Sequence, residues 1–268
     1  PTDEPLLNFS FPLGGQKGTS FEVEVKGSSL AGACAVWTDC AELKGRVLKI
    51  EEIELEKKSK DALQGMEEKT PPHGQRVLLE VIASPSAPIG SHEFRLVCPA
   101  GVSNALTLQG SAEPVIAEKV EDHNRPEWAQ AVDLPALVNG KLKDPGEVDY
   151  YSFDAKSGQE FAMEVGSAGR KLNPILTLFD SSGSWFDSKR LMRLAFNDNA
   201  NGRTKGARLR YRFARGGRYT VAVGAFVGVV DSESSYQLRI VPVESSTSET
   251  WPVFTETPAH PEPVGWTE

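Results

Sequence analysis

Between Asn139 and Val165 the sequence runs NGKLKDPGEVDYYSFDAKSGQEFAMEV, and its side chains change character with a period of two. Tyr151, Phe153 and Ala155 alternate with Tyr150, Ser152 and Asp154, and Phe161, Met163 and Val165 alternate with Ala162 and Glu164. A β-strand sends successive side chains to opposite faces, whereas an amphipathic helix needs apolar residues three and four apart, so this segment predicts strands. An aromatic residue on each face of the first strand predicts a central place in its sheet. Lys156-Ser157-Gly158-Gln159 supplies a turn in which glycine can take positive φ, and the two strands are expected to close as a hairpin.

The first half repeats this grammar. Phe21 to Gly27 alternates apolar and charged residues without a break and reads as a half-exposed strand. Ala33 to Trp37, Arg46 to Leu55 and Arg76 to Ala83 are further strands, the last nearly all apolar and so expected at the centre of a sheet. His92 to Val97 and Ala105 to Leu108 flank a turn at Pro99 to Asn104 and predict a hairpin. Glycine and proline between these segments leave little room for helices, and the spacing predicts an antiparallel sandwich of immunoglobulin-like type. Glu56 to Gln75, the most polar segment, reads as a solvated loop with space for one helical turn, or as a partner-binding loop.

At 268 residues, 39% of them hydrophobic, the chain can bury one large core or two ordinary ones. We expect an all-β protein of two β-sandwich domains, over 1–115 and 116–244, with an extended tail or linker over 245–268 where Ser, Thr and Pro accumulate. No run of about 18 apolar residues is present, so membrane insertion is not expected. The chain starts at Pro1 with neither initiator Met nor apolar leader, which fits a mature or trimmed chain after removal of a signal peptide. Cys34, Cys40 and Cys98 lack the paired C-x-x-C units of a zinc site. They fit one disulfide plus a free thiol, with every pairing open, or three buried reduced thiols.

The pattern Asn139-Gly140, then Pro145-Gly146-Glu147-Val148-Asp149-Tyr150-Tyr151-Ser152-Phe153, then Ala155-Lys156-Ser157-Gly158-Gln159 resembles the bacterial pre-peptidase C-terminal domain. The resemblance continues through Leu172 to Asp180, Ala207 to Phe213, Gly217 to Val223 and Tyr236 to Ile240, about half the chain. It implies a jelly-roll-like sandwich for the second domain. Gly14 to Thr19, the segment from Pro88 through His92-Glu93-Phe94-Arg95-Leu96-Val97, and Gly101 to Leu106 are similar to the immunoglobulin-like region that precedes such domains in large bacterial surface or secreted proteins. That implies an extracytoplasmic location, whether secreted, periplasmic or cell-surface, beside other modules of a larger chain.

In some members of this family the lead-in to the domain binds calcium together with the loop before Asp-Tyr. Carried over by position, the implied ligands are Glu121 and Asn124 of the lead-in and Glu147 and Asp149 of the loop, oxygen donors of the kind calcium takes. Lys119 stands where the family has a glutamate and His123 where it has an asparagine, so a cation and an imidazole enter the set. Otherwise these acids cap turns, with Asp149 accepting backbone hydrogen bonds. Asn197-Asp198-Asn199-Ala200-Asn201-Gly202 imitates the start of an EF-hand loop, but Arg208 stands where the bidentate glutamate belongs, and the segment reads as a polar turn.

The formal charge of -8 argues against a nucleic-acid partner, yet the charge is unevenly spread. Between Lys189 and Arg218 ten basic residues face one acid, Asp198. In Arg208-Leu209-Arg210-Tyr211-Arg212-Phe213 the alternation sends three guanidinium groups to one face of a strand. Like charges so placed repel, so either acids such as Glu160 and Glu164 offset them or the face meets an anionic polysaccharide or acidic protein. Trp185 and Phe186 follow a turn and cannot both enter one core; Trp185 is a candidate for stacking on sugar or gripping a protein, or for a core or domain-interface role. Trp251 and Trp266 can pack back on the sandwiches from the tail.

The chain lacks G-x-S-x-G, H-E-x-x-H, a glycine-rich phosphate loop and a cysteine–histidine pairing, each of which sets a reactive group in a required geometry. The sequence therefore predicts a non-catalytic secreted or cell-surface accessory module that binds carbohydrate or protein, with Arg208, Arg210, Arg212 and Trp185 as the binding residues. The competing readings are a structural spacer between modules and a hydrolase whose acid pair converges only in three dimensions.

Overall fold

Glu22, Glu24 and Lys26 point outward while Val23 and Val25 are fully buried, so the alternation read in the first half is carried into its strands. A computed structural model describes residues 4–54, 73–119, 123–167, 172–181, 191–198, 206–226, 230 and 233–243, and the backbone of 253–255. The chain divides into two units, Pro1–Ala112 and Glu113–Glu268. Trp185, Glu121, Trp251, Trp266 and residues 56–72 of the polar loop lie outside the described residues.

The first unit contains β1 (Leu6–Phe11), β2 (Gly14–Gln16), β3 (Ser20–Ser28), β4 (Ala35–Thr38), β5 (Leu43–Glu54), β6 (His73–Ala83), β7 (Gly90–Cys98), β8 (Gly101–Val102) and β9 (Leu106–Ser111). One sheet has the order β1-β3-β6-β5, and the other β2-β9-β7-β4 with β8 on β7. Val23, Val25, Val77, Leu79, Phe94 and Leu96 form the centre of the core. The hairpin expected around Pro99 to Asn104 is present as antiparallel β7 and β9, and the Ser103 hydroxyl accepts the Leu96 N–H where the chain turns. β6 holds the central position its apolar run suggested, but only one of its faces is inside: Ile82 is 47% exposed. Ion pairs cover the outer face around it, including Arg46–Glu80 and Arg76–Glu51, both at 2.5 Å. The three cysteines are free, Cys34 exposed and Cys40 and Cys98 buried.

The second unit contains β10 (Val115–Ala117), β11 (Gln130–Ala131), β12 (Ala136–Lys141), β13 (Val148–Ala155), β14 (Glu160–Ser167), β15 (Pro174–Asp180), β16 (Met192–Asn197), β17 (Ala207–Arg212), β18 (Gly217–Ala225), β19 (Ser235–Pro242) and β20 (Val253–Thr255). A six-stranded sheet runs β10-β12-β19-β14-β17-β20 and a five-stranded sheet β11-β13-β18-β15-β16. Their facing side chains form an aromatic core in which Phe213 lies 4.9 Å from Tyr211 and 4.3 Å from Tyr219, centroid to centroid.

β13 and β14 are not a hairpin. They belong to different sheets, β13 pairing with β18 and β14 with β17 and β19. The turn between them does take the form the residues require, with Gly158 at φ +79. Its backbone is bonded elsewhere, however: Gly158 N–H donates to Phe213, and Phe213 N–H to Gln159, at the foot of β17. Phe153 and Phe161 face one another at 5.8 Å across the core, so both inward sets are satisfied by passing from one sheet to the other. β13 lies inside its sheet, with Tyr150 and Tyr151 both buried as an aromatic on each face implied.

Candidate functional site

The alternation of β17 places Leu209 and Tyr211 in the core and leaves Arg208, Arg210 and Arg212 on the outer face. β14, its antiparallel neighbour, brings Glu160 opposite Arg212 and Glu164 opposite Arg208. The acids that sequence named as offsets are the ones that meet the ladder. Arg208 donates through Nε to Glu164 at 2.7 Å, and Arg210 pairs with Glu160 across the diagonal. Arg212 is exposed and directs Nε at the Gly158 carbonyl, 3.5 Å away. Three guanidinium groups thus face two carboxylates on these strands. On the next strand Arg239 pairs with Glu113 at 2.5 Å.

A second cluster is buried. The lead-in residues Glu118 and His123 meet Asp149 at the start of β13. His123 is 5% exposed, with Nε2 3.3 Å from Glu118 Oε1 and Nδ1 3.3 Å from Asp149 Oδ1. The second oxygen of Glu118 accepts the Lys141 N–H at 2.8 Å. The second oxygen of Asp149 accepts the Tyr236 hydroxyl at 2.6 Å, and the Tyr151 hydroxyl lies 2.6 Å from that of Tyr236. Gly140 leaves room for this tyrosine: a Cβ there would stand 2.4 Å from its ring. The His123 carbonyl accepts the Tyr150 N–H, which ties the lead-in to β13.

Burial pushes the His123 imidazole toward neutrality, but the carboxylates of Asp149 and Glu118 outweigh it and raise its pKa to about 10. Burial pushes the Asp149 carboxyl up, against the pull of His123 and Tyr236. With its pKa raised to about 10, His123 carries its proton at neutral pH and stands as an imidazolium between Glu118 and Asp149. Desolvation holds both tyrosines well above their usual range, as neutral donors.

Glu118, His123 and Asp149 each offer one atom of a kind that metals take, all within 4.8 Å of one another. The described donors do not suit calcium. That ion takes six to eight oxygens, whereas here a protonated imidazole stands between the carboxylates and the second oxygen of each is already engaged. Of the implied ligands, Asp149 turns inward to this cluster, Glu147 accepts the N–H groups of Lys143 and Asp144 as a turn cap, and Asn124 is exposed. Lys119 donates its N–H to Gln130 Oε1. Sequence reasoning met His123 only as a departure from a family pattern and passed over Glu118; a histidine replacing an amide near an Asp-Tyr strand was the available signal.

No family model matches the sequence, and no curated protein matches it. The chain is similar to the solved pre-peptidase C-terminal domain of a collagenase from Bacillus anthracis, with 21% identity over 44% of this chain and 98% of that one, at a TM-score of 0.33. It is similar also to PliG of Aeromonas hydrophila, a periplasmic inhibitor of g-type lysozyme, with 14% identity over 43% of this chain and 96% of that one, at a TM-score of 0.32. A third is SGBP-B from a xyloglucan utilization locus of Bacteroides uniformis, with 9% identity over 89% of this chain and 73% of that one, at a TM-score of 0.23.

The basic face and the buried cluster differ in what they can do. The ladder lies on an outer face, with Arg208 and Arg210 half-buried and Arg212 exposed. The imidazolium cluster is sealed, and a general acid or base must come within hydrogen-bond reach of substrate, so its chemistry is that of a structural tie. Among the described residues no helix is long and apolar enough to cross a membrane. A small apolar pocket in the first unit, lined by Phe21, Leu43, Ala83, Ala87 and Leu108, has room for about one water molecule and none for a substrate.

Proposed function

We propose that this chain is a non-catalytic accessory module of a secreted or cell-surface protein, whose second unit binds an anionic polysaccharide or acidic protein through the outer face of β17. The observation that carries this reading is the run of arginines on that face, where Arg208, Arg210 and Arg212 lie beside Glu160 and Glu164 of β14 and Arg212 is exposed. Guanidinium groups held at strand spacing present planar donors to successive carboxylates or sulfates. Nucleic acid is disfavoured by the acidity of the whole chain, -8 in formal charge. The immunoglobulin-like reading of the first unit and its place beside further modules belong to the same proposal.

A glycan and protein array probed at low and moderate salt tests it. We expect binding that weakens with salt and is lost in Arg212→Glu, whose exposed side chain can be exchanged without disturbing the core. Binding of neither class would leave a structural spacer as the better description. Turnover of ester, peptide or glycoside substrates would overturn the non-catalytic part.

A further inference from the structure

The strand that carries the arginine ladder is held differently on its two sides. On one side β14 pairs antiparallel with β17 along its whole length, from Ala207 to Arg212. On the other side the neighbour is β20, which pairs in parallel over three residues, Arg210 with Val253, Tyr211 with Phe254 and Arg212 with Thr255. Parallel pairing is the weaker kind per residue, and β18 and β19 intervene in the chain between β17 and β20. In the sequence Pro252 and Pro258, which have no N–H to give a ladder, flank the segment. A short strand held this way is displaceable. Without it, β17 is the edge of its sheet and presents a row of unpaired backbone groups, a template for an added strand.

The charge of the segment matches the strand it joins. From Glu244 to the end, the sequence has Glu244, Glu249, Glu256, Glu262 and Glu268 and neither lysine nor arginine. The backbone register of β20 on β17 and the acidic composition of the sequence around it favour the same kind of occupant.

We propose that the outer edge of β17 accepts an extended acidic peptide strand from a partner protein, and that Val253–Thr255 is its resident occupant when the partner is absent. The inference rests on the reading that β17 meets an anionic partner, and it selects acidic protein over polysaccharide. The C-terminal segment then acts as an internal competitor: it keeps the edge from pairing indiscriminately and sets how well a partner strand must bind to replace it.

The test uses the full chain, wild type and Phe254→Pro, which removes a backbone donor from β20 alone. A synthetic peptide spanning Glu249 to Thr257 is titrated into each by calorimetry, with heparin as the polysaccharide probe and hydrogen exchange read at the β17 amides. We expect the peptide to bind the variant about tenfold more tightly than wild type, as for an edge that is otherwise occupied about nine-tenths of the time. The affinity should fall with salt and with glutamate-to-lysine exchange in the peptide, and exchange at Arg210–Arg212 should quicken in the variant and slow again with peptide. Heparin binding without peptide binding would overturn this inference and leave the proposed function standing. Failure of both probes would remove both. Equal peptide affinity in the two proteins, with unchanged exchange on β17, would place the peptide elsewhere and refute the acceptor edge.

Discussion

Replacing His123 with glutamine tests whether the buried imidazolium ties the lead-in to the second unit. The imidazole pKa rises from 6.5 to about 10 in the fold. Each unit of such a shift corresponds to about 1.4 kcal/mol, and at pH 7 the pH-dependent part of the stabilisation is roughly 4 kcal/mol. Breaking a buried pair by removing one partner costs about 3–5 kcal/mol in general, which agrees. For a unit of this size that corresponds to a melting point lower by about 10 °C. Because the folded pKa is the raised one, the stabilisation is fully present below about 6.5 and is lost as pH climbs through about 10. Thermal melts of both proteins between pH 6 and 10.5 should show a gap that is widest at the acid end, only slightly smaller at pH 7 and nearly closed at the alkaline end. A gap of constant size across that range, or no gap at pH 7, would refute the charged form of His123.

Four further outcomes follow from the same geometry. Tyr236→Phe removes the hydroxyl between Tyr151 and Asp149 and should cost about 1–3 kcal/mol in a denaturant titration. Gly140→Ala drives a methyl group into the fully buried ring of Tyr236 and should cost about as much or more, with the damage read as a rise in near-ultraviolet tyrosine mobility. Millimolar calcium and excess chelator should leave the melting point unchanged within about 1 °C; a stoichiometric shift would show that a site including Glu121 forms in spite of His123. Glu160→Gln with Glu164→Gln unmasks the arginine ladder, and should strengthen polyanion binding at a stability cost near 1 kcal/mol, as expected for partly exposed pairs.

Much of the fold is written in the period-two pattern, because that pattern decides which side chains need a core. Val23 and Val25, or Leu209 and Tyr211, are legible one at a time as inward positions. Sheet membership is not. Tyr151 to Ala155 and Phe161 to Val165 show the same alternation whether their strands pair in one sheet or face each other across a core. The choice is made by β17, β18 and β19, far along the chain. An apolar run is ambiguous in the same way: Arg76 to Ala83 sits centrally in its sheet while leaving Ile82 in solvent. At the basic face, residue types and parity were enough to match Glu160 and Glu164 with the arginines. The buried cluster was less legible, because Glu118, His123, Asp149 and Tyr236 come from four separated places and only the fold brings them together. Trp185 and Glu121, lying outside the described residues, stay as sequence expectations.

The crossing at Lys156 to Gln159 has a kinetic meaning. Because β13 and β14 do not pair with each other, only the two-residue β11 is there to pair with β13, and no earlier strand with β14, when the segment containing both has been made; Tyr151 waits for Val221, and Ala136 for Ile240. Loop-closure entropy must be met over these long separations before any pairing rewards it, which puts such topologies on the millisecond-to-second scale. The antiparallel pairings that close both sheets of the second unit therefore wait for β18 and β19. A chain emerging from the ribosome has its last antiparallel partner for β12 and β14 only once Pro242 has been made.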